Sequence, residues 1–257
     1  MRLALASMLL YGYAKITGKH RKMDKGDWKY FLPMAFFEPF LYYIGETYGL
    51  TMVKPTLASV IVATIPVFAP FFAYVFLRER FTLVNIVGIL VSVFGVYLIV
   101  SRADGTETTS VRGVALMFLA VFSAIVYGLI MRKIPGKYSA TNIIFYQSVF
   151  GLLFFVPAML AVDVKHLPEY TVSFGAVKAL LLLTVFASVI AFVLFADVVR
   201  KIGLTKSQVF TNLIPVFTAL FSWILFQEML NVLQWLGIFI VIFGVFVSQR
   251  KVRRLEV

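Results

Sequence analysis

Apolar residues run along this chain in nine nearly unbroken stretches, at 3–16, 30–50, 56–77, 83–100, 111–131, 141–161, 176–199, 207–226 and 233–248. Short charged or polar breaks separate them. A helix crosses a bilayer with roughly 20 apolar residues, so the pattern predicts nine transmembrane helices and leaves no length for a soluble domain. The runs lack the strict alternation that barrel strands require. The predicted fold class is therefore an all-α integral membrane protein, a helical bundle with nine crossings.

Composition agrees with that reading and removes several others. Of 257 residues, 61% are hydrophobic and 14% charged, and the mean hydropathy is +0.94; a soluble globular protein cannot hide that apolar fraction. Cysteine is absent, which excludes disulfides, thiolate metal sites and a cysteine nucleophile. The start carries no cleavable-signal pattern. The formal charge of +12 would suggest nucleic acid in a soluble protein, but here position explains it. Alternate loops and ends carry Lys15, Lys19, Arg21, Lys22, Lys25, Lys29; Arg78, Arg80; Arg132, Lys133, Lys137; Arg200, Lys201, Lys206; and Arg250, Lys251, Arg253, Arg254, which is 18 of the 24 basic residues. Arg2, Lys54, Arg102, Arg112, Lys165 and Lys178 lie on the other side. The excess predicts a multi-pass protein of the plasma (cytoplasmic) membrane with its C-terminus in the cytoplasm. Nine crossings then put Met1 outside, and the short first segment leads us to expect one more apolar helix upstream.

The chain also repeats itself. Shifted by 149 residues, Pro66 falls on Pro215, Glu79 on Glu228, Gly88 on Gly237 and Gly95 on Gly244, so both copies read P-x12-E-x8-G-x6-G. Residues 65–100 and 214–249 share eleven identities in 36 positions. Five crossings, an odd number, separate the two glutamates, so the copies are expected to be inverted, with a first repeat at 1–102 and a second at 111–250. Inverted repeats are a common plan of secondary transporters. Each glycine pair is spaced nearly two helical turns apart, on one face where helix backbones can approach closely. Pro66, Pro70 and Pro215 are expected to break backbone hydrogen bonds within membrane helices. Glu79 and Glu228 are expected to cap the helix that follows each, Glu79 with Arg78 or Arg80 as a partner.

On this doubled motif the chain resembles the EamA-like branch of the drug/metabolite transporter superfamily. The opening at 2–10, the basic loop ending in Asp27-Trp28, the stretch 48–66, and Gly203-Leu204-Thr205-Lys206-Ser207 leading to Pro215 carry the resemblance, in that order, across essentially the whole chain. It implies a ten-helix bundle of two inverted five-helix repeats with both termini cytoplasmic, moving small metabolites, amino acids or drugs, often outward. Against that plan the first repeat has four helices. Residues 3–16 align with 141–161, so the absent element is the family's first helix, the counterpart of 111–131.

The candidate binding site centres on Glu38. It lies eight residues into its segment, about 12 Å along a helix rising ~1.5 Å per residue, close to mid-membrane. A charged group there costs at least ~2.5 to 3.5 kcal/mol, which makes an intramembrane carboxylate a functional candidate. Glu38, Tyr42, Gly45 and Gly49 are expected to share one helical face, with Glu46 near it and Phe36 and Phe40 opposite. The alternative is a protonated or hydrogen-bonded carboxyl that only ties helices together, aided by Pro39, which frees the Ala35 carbonyl. Tyr127, Tyr146, Gln147, Asn212 and Trp223 are further candidates to line a cavity for a small amphipathic solute. Asp197 reads as an ion-pair partner of Arg200 or Lys201.

The function expected from these features is secondary transport of a small solute, with possible proton coupling, in contact with the lipid bilayer and without nucleic acid or cofactor. A channel, a lipid-handling protein or a membrane enzyme is the alternative. For an enzyme the chemistry is hard to find. His20 and His166 are the only histidines and fall in loops on opposite faces, so they build neither a metal site nor a nucleophile–histidine pair. No G-x4-G-K-[ST] motif exists for an ATP-driven pump.

Overall fold

The computed structural model describes residues 1–53, 55–100, 110–162, 173–227 and 230–249. Glu228, His166, Lys54, Arg102, Lys165, Thr106 and the basic tail from Arg250 lie outside the described residues. Every apolar segment is helical, and no strand occurs among the described residues. In order the helices are α1 (Arg2–Ile16), α2 (Trp28–Ala35), α3 (Tyr42–Leu50), α4 (Pro55–Val62), α5 (Ile65–Leu77), α6 (Leu83–Val100) and α7 (Val111–Lys133). They continue with α8 (Ala140–Val162), α9 (Phe174–Leu182), α10 (Phe192–Ile202), α11 (Leu204–Val209), α12 (Leu213–Phe226) and α13 (Val232–Ser248). Five helical stretches among these residues are long and apolar enough to span a bilayer: Leu57–Leu77, Val111–Lys133, Ala140–Leu160, Phe174–Ile202 and Leu204–Leu225. Helices α6 and α13 are equally apolar but shorter. Phe71, Phe94, Phe239, Phe243 and Phe246 are all more than half exposed, an apolar surface that lipid rather than water can cover. The protein is a multi-pass membrane protein.

There are more helices than segments because four segments are interrupted, and sequence chemistry accounts for three of the interruptions. Pro39 lacks an N–H and drives its predecessor away from helical angles; Glu38 accordingly has φ −143° and ψ 122° between α2 and α3. Pro66 was expected inside a helix. It instead occupies the first turn of a new one, α5, behind Thr64, where a missing N–H costs nothing. Pro215 likewise falls in the first turn of α12, after a 3₁₀ turn at Phe210–Asn212. A π-helical segment, Leu183–Ala191, joins α9 to α10.

The chain divides into two compact units, each drawing on both halves of the sequence. The first comprises Met1–Tyr43 and Val126–Lys201. In it α1 packs on α8 and on Leu183–Ala191, while α2 and Phe36–Leu41 pack on α8. Helix α1 can do so because Ala6, Leu10 and Ala14, all buried, form a slim stripe at four-residue spacing. The basic loops of this unit gather at one end. Asp24 and Asp27 both pair with Lys137, the latter at 2.6 Å, and the Tyr138 hydroxyl donates to Asp27 at 2.7 Å. The bonds from Lys137 and then Tyr138 hold the Asp27 carboxyl below its usual range, and its two carboxylate partners hold Lys137 above its own. The Arg21 amide donates to Asn142 Oδ1 at 3.2 Å, completing the attachment of this loop to α8.

The second unit comprises Ile44–Ile125 and Ile202–Val257. Its centre is the antiparallel crossing of α6 and α13, where the glycines of the two repeats meet crosswise, Gly88 with Gly244 and Gly95 with Gly237. A Cβ on Gly88 would lie 2.7 Å from the Gly244 carbonyl oxygen, and one on Gly95 2.8 Å from that of Gly237. Around this contact pack Ile89, Val96, Val209, Val216, Ile238, Val241 and Val245. At one end Glu79 overturns an expectation. It caps not the helix after it but α11, distant in sequence, accepting from the Leu204 amide at 3.0 Å, the Thr205 amide at 3.2 Å and the Thr205 hydroxyl at 3.2 Å. A carboxylate on two helix-start amides satisfies donors that the helix itself cannot. Gly203, at φ +91°, admits it: a side chain there would meet the carboxylate at 2.9 Å.

Candidate functional site

The first unit assembles a buried polar cluster around the break at Glu38. Backbone amides at the end of the Phe36–Leu41 segment bond to the Phe37 and Pro39 carbonyls, passing over that of Glu38. Gln147 of α8 takes it up, its Nε2 donating to the Glu38 main-chain oxygen at 3.1 Å. The Tyr127 hydroxyl of α7 donates in turn to Gln147 Oε1 at 3.1 Å. The three residues are 9%, 3% and 1% exposed in the order Glu38, Gln147, Tyr127, and a buried carbonyl left unpaired there would cost roughly 1–3 kcal/mol. The Tyr127 ring stacks on Phe195 and meets Phe192 edge-on, each at 6.4 Å. Gly151 lets α8 approach the Pro39 ring, which a Cβ would touch at 3.0 Å.

Sequence reasoning expected eight lining residues, and the structure brings three of them, Glu38, Tyr127 and Gln147, into one hydrogen-bonded chain. Tyr42 belongs to the same unit and is half-buried with its ring 5.8 Å from that of Tyr43; the Arg2 guanidinium sits 4.7 Å over the Tyr43 ring. Tyr146 is tied elsewhere, donating to the Arg21 main-chain oxygen at 2.8 Å and packing on Phe31, so it anchors the basic loop. Glu46, Asn212 and Trp223 belong to the second unit. Glu46 is half-buried. Asn212 is fully buried and donates to Ser92 Oγ at 2.7 Å, while its Oδ1 accepts no hydrogen bond. Trp223 is 40% exposed, its ring edge-on to Trp235 at 5.5 Å.

The single polar face expected from Glu38 to Gly49 is corrected. Glu38 leaves the helical ladder, so helical spacing cannot carry its direction across Pro39. Gly45 and Gly49 instead seat α3 against Leu116, Met117 and Ala120 of α7 within the second unit. The carbonyl that Gln147 takes up is that of Glu38, and the restriction that proline imposes on the preceding residue was the available signal. The expected Asp197 pair is present, with Lys201 at 2.7 Å. Sequence reasoning missed Thr184 and Ser188, buried one turn apart in the π-helical segment. Thr184 donates to the Leu180 carbonyl at 2.7 Å, and Ser188 Oγ is buried without a hydrogen-bond partner. Their signal was the four-residue spacing of two hydroxyls inside an apolar run. No grouping of histidine and carboxylate residues that could hold a metal exists among the described residues.

An all-helical membrane protein with interrupted helices has an architecture on which many transporters are built. The chain belongs to the EamA-like transporter family, whose model matches residues 1–101 and again 111–249. It is similar to the uncharacterized transporter YetK of Bacillus subtilis (strain 168), 28% identical over 89% of this chain and 70% of that protein. It is also similar to an uncharacterized transporter of Archaeoglobus fulgidus, 27% identical over 97% of this chain and 86% of the relative. A protein of known crystal structure superposes with a TM-score of 0.81 over 96% of this chain and 85% of its own, at 14% identity, a likeness of fold alone.

Proposed function

We propose that this protein is a secondary transporter that carries a small metabolite, amino acid or drug-like solute across the cytoplasmic membrane by alternating access, with Glu38 as the central group of its binding site. The observation that carries the reading is the buried Glu38 at a helix break, its backbone oxygen held by Gln147 and Gln147 held by Tyr127. Carriers bind their solutes at such discontinuities near the midplane, where backbone groups released from the helix are available. A mid-membrane carboxylate can exchange a proton for a cationic part of the solute, one route to coupling. The 149-residue repeat and the antiparallel glycine contact of α6 with α13 support two inverted halves that rock against the membrane.

The test is flux. In proteoliposomes, a solute identified by comparing metabolites inside and outside cells with and without the protein should move saturably and exchange against itself. Linear ion conductance or lipid movement in its place would refute the reading.

The proposed orientation puts the C-terminus and the loops around Lys19, Lys133 and Lys201 in the cytoplasm, with Thr106 and Lys165 outside. Since the chain has no cysteine, Thr106→Cys should react with an impermeant thiol reagent applied from outside intact cells. Lys133→Cys should react only after permeabilisation. The reverse pattern would invert the topology.

A further inference from the structure

The break at Glu38 has a counterpart in the second half of the chain. The register that sets Pro66 on Pro215 runs back without a gap through the preceding span, placing Lys29 on Lys178, Leu32 on Leu181, Phe37 on Phe186 and Thr56 on Thr205. In it the interrupted segment Phe36–Leu41 falls on residues 185–190, inside the π-helical segment Leu183–Ala191, and Pro39 falls on Ser188. Both departures from regular helix occur at one place in the repeat. Such π-helical turns are rare and collect at functional sites.

Ser188 is 4% exposed, and its hydroxyl has no hydrogen-bond partner. A hydroxyl buried in a helix can bond back to the carbonyl four residues earlier, as Thr184 does to Leu180 at 2.7 Å and Ser148 to Ile144 at 2.8 Å. No such bond forms at Ser188, where the wider π turn changes the offset from the preceding carbonyls. Its place also connects to the Glu38 cluster. Phe192, four residues beyond Ser188, meets Tyr127 edge-on, and Tyr127 bonds to Gln147.

We infer that Ser188 is the second half's contribution to the solute site, its hydroxyl bonding a neutral polar group of the solute, such as a hydroxyl or an amide. This rests on the transport reading, in which both halves of the chain hold the solute. The group is neutral because the other buried positions of this span, Thr184, Ala196 and Val199, offer no cation to balance a carboxylate. The competing account makes Ser188 a small residue that only lets α1 pack against this segment.

Because the chain has no cysteine, Ser188→Cys introduces a single thiol of nearly the same size. In proteoliposomes, 2-(trimethylammonium)ethyl methanethiosulfonate, a permanent cation, is supplied on both faces of the membrane. It should modify Ser188→Cys about tenfold faster than Leu194→Cys, at a 59% exposed position of the same span, because the reactive thiolate forms where water reaches it and not in lipid. With the solute identified by the metabolite comparison, saturation should slow that modification. Ser188→Ala should raise the half-saturating concentration about fivefold, the worth of one neutral hydrogen bond, and leave the maximal rate per folded protein nearly unchanged. A serine that only packs would lower the yield of folded protein and leave half-saturation where it was. Modification of Ser188→Cys no faster than that of Leu194→Cys would overturn the inference, and so would an unchanged half-saturating concentration in Ser188→Ala. Should the cysteine variant fail to fold, Ser188→Ala decides alone. Absence of flux in the wild type would refute the transport reading instead; the two failures are distinct because the reagent needs no solute to react.

Discussion

Glu38→Gln is expected to keep the fold, to retain solute exchange, and to lose pH-driven accumulation. The fold should survive because one contact that secures this stretch of chain runs from Gln147 to the Glu38 main-chain oxygen, which the substitution leaves in place. The amide also keeps the shape and hydrogen-bonding capacity of the carboxyl at a 9% exposed position. What it removes is the ability to carry a proton or to balance a cationic solute. With coupling lost, a solute gradient can no longer be built from a pH gradient, although solute can still exchange for solute. Measured in proteoliposomes, uptake across an imposed pH gradient should fall to equilibrium in Glu38→Gln while counterflow continues. Glu38→Ala should lose both, because it also empties the space the side chain fills. Uphill transport at the wild-type level in Glu38→Gln would leave Glu38 only the role of tying helices together.

Gly88→Ala is expected to cost about 1–3 kcal/mol of stability, the usual penalty for overpacking, and Gly88→Ala combined with Gly244→Ala more. The clash is with backbone, which cannot rotate away: a Cβ at Gly88 would sit 2.3 Å from the Ser248 amide nitrogen, and one at Gly244 2.4 Å from that of Ser92. The same contact holds Asn85, whose Nδ2 donates to the Ser248 carbonyl at 2.6 Å, so separating α6 from α13 would release a buried polar group as well. Gly12→Ala is the internal control. A Cβ there has no neighbouring atom within 4 Å, and alanine favours a helix over glycine, so this variant should melt with or slightly above the wild type. Thermal unfolding of the wild type and the three variants in one detergent makes the comparison, and a Gly88→Ala protein as stable as Gly12→Ala would refute the tight crossing.

Where helices form was legible because it depends on neighbours in sequence. The segment at 83–100 coincides with α6, and 233–248 differs from α13 by one residue. The glycine spacing also reported a real close approach, although it could not say that Gly88 would meet Gly244 and Gly95 would meet Gly237, each the counterpart of the other glycine in the repeat. The error at Glu38 was different in kind. Counting helical positions through Pro39 assumed a continuous ladder, whereas the proline fixes its predecessor outside the helix. Pro66 and Pro215 were read as interruptions within helices when their ring geometry equally suits a helix start. Tyr146 and Gln147 were both candidates to line a cavity as polar or aromatic groups; adjacent positions on a helix point about 100° apart, and the two side chains serve different partners.

By itself the sequence determined that this is an all-helical membrane protein, where its charged loops interrupt it, and which residues are too polar for lipid without a reason. Each of these follows from hydropathy and order along one dimension. Only the tertiary structure decided that Glu79 caps α11 and that Tyr127, through Gln147, is joined to Glu38. The physical reason is that helices apolar on nearly every side carry no strong amphipathic stripe to announce their neighbours. In such helices, close backbone approach and scattered polar bonds select the partners, and those contacts join residues more than a hundred positions apart.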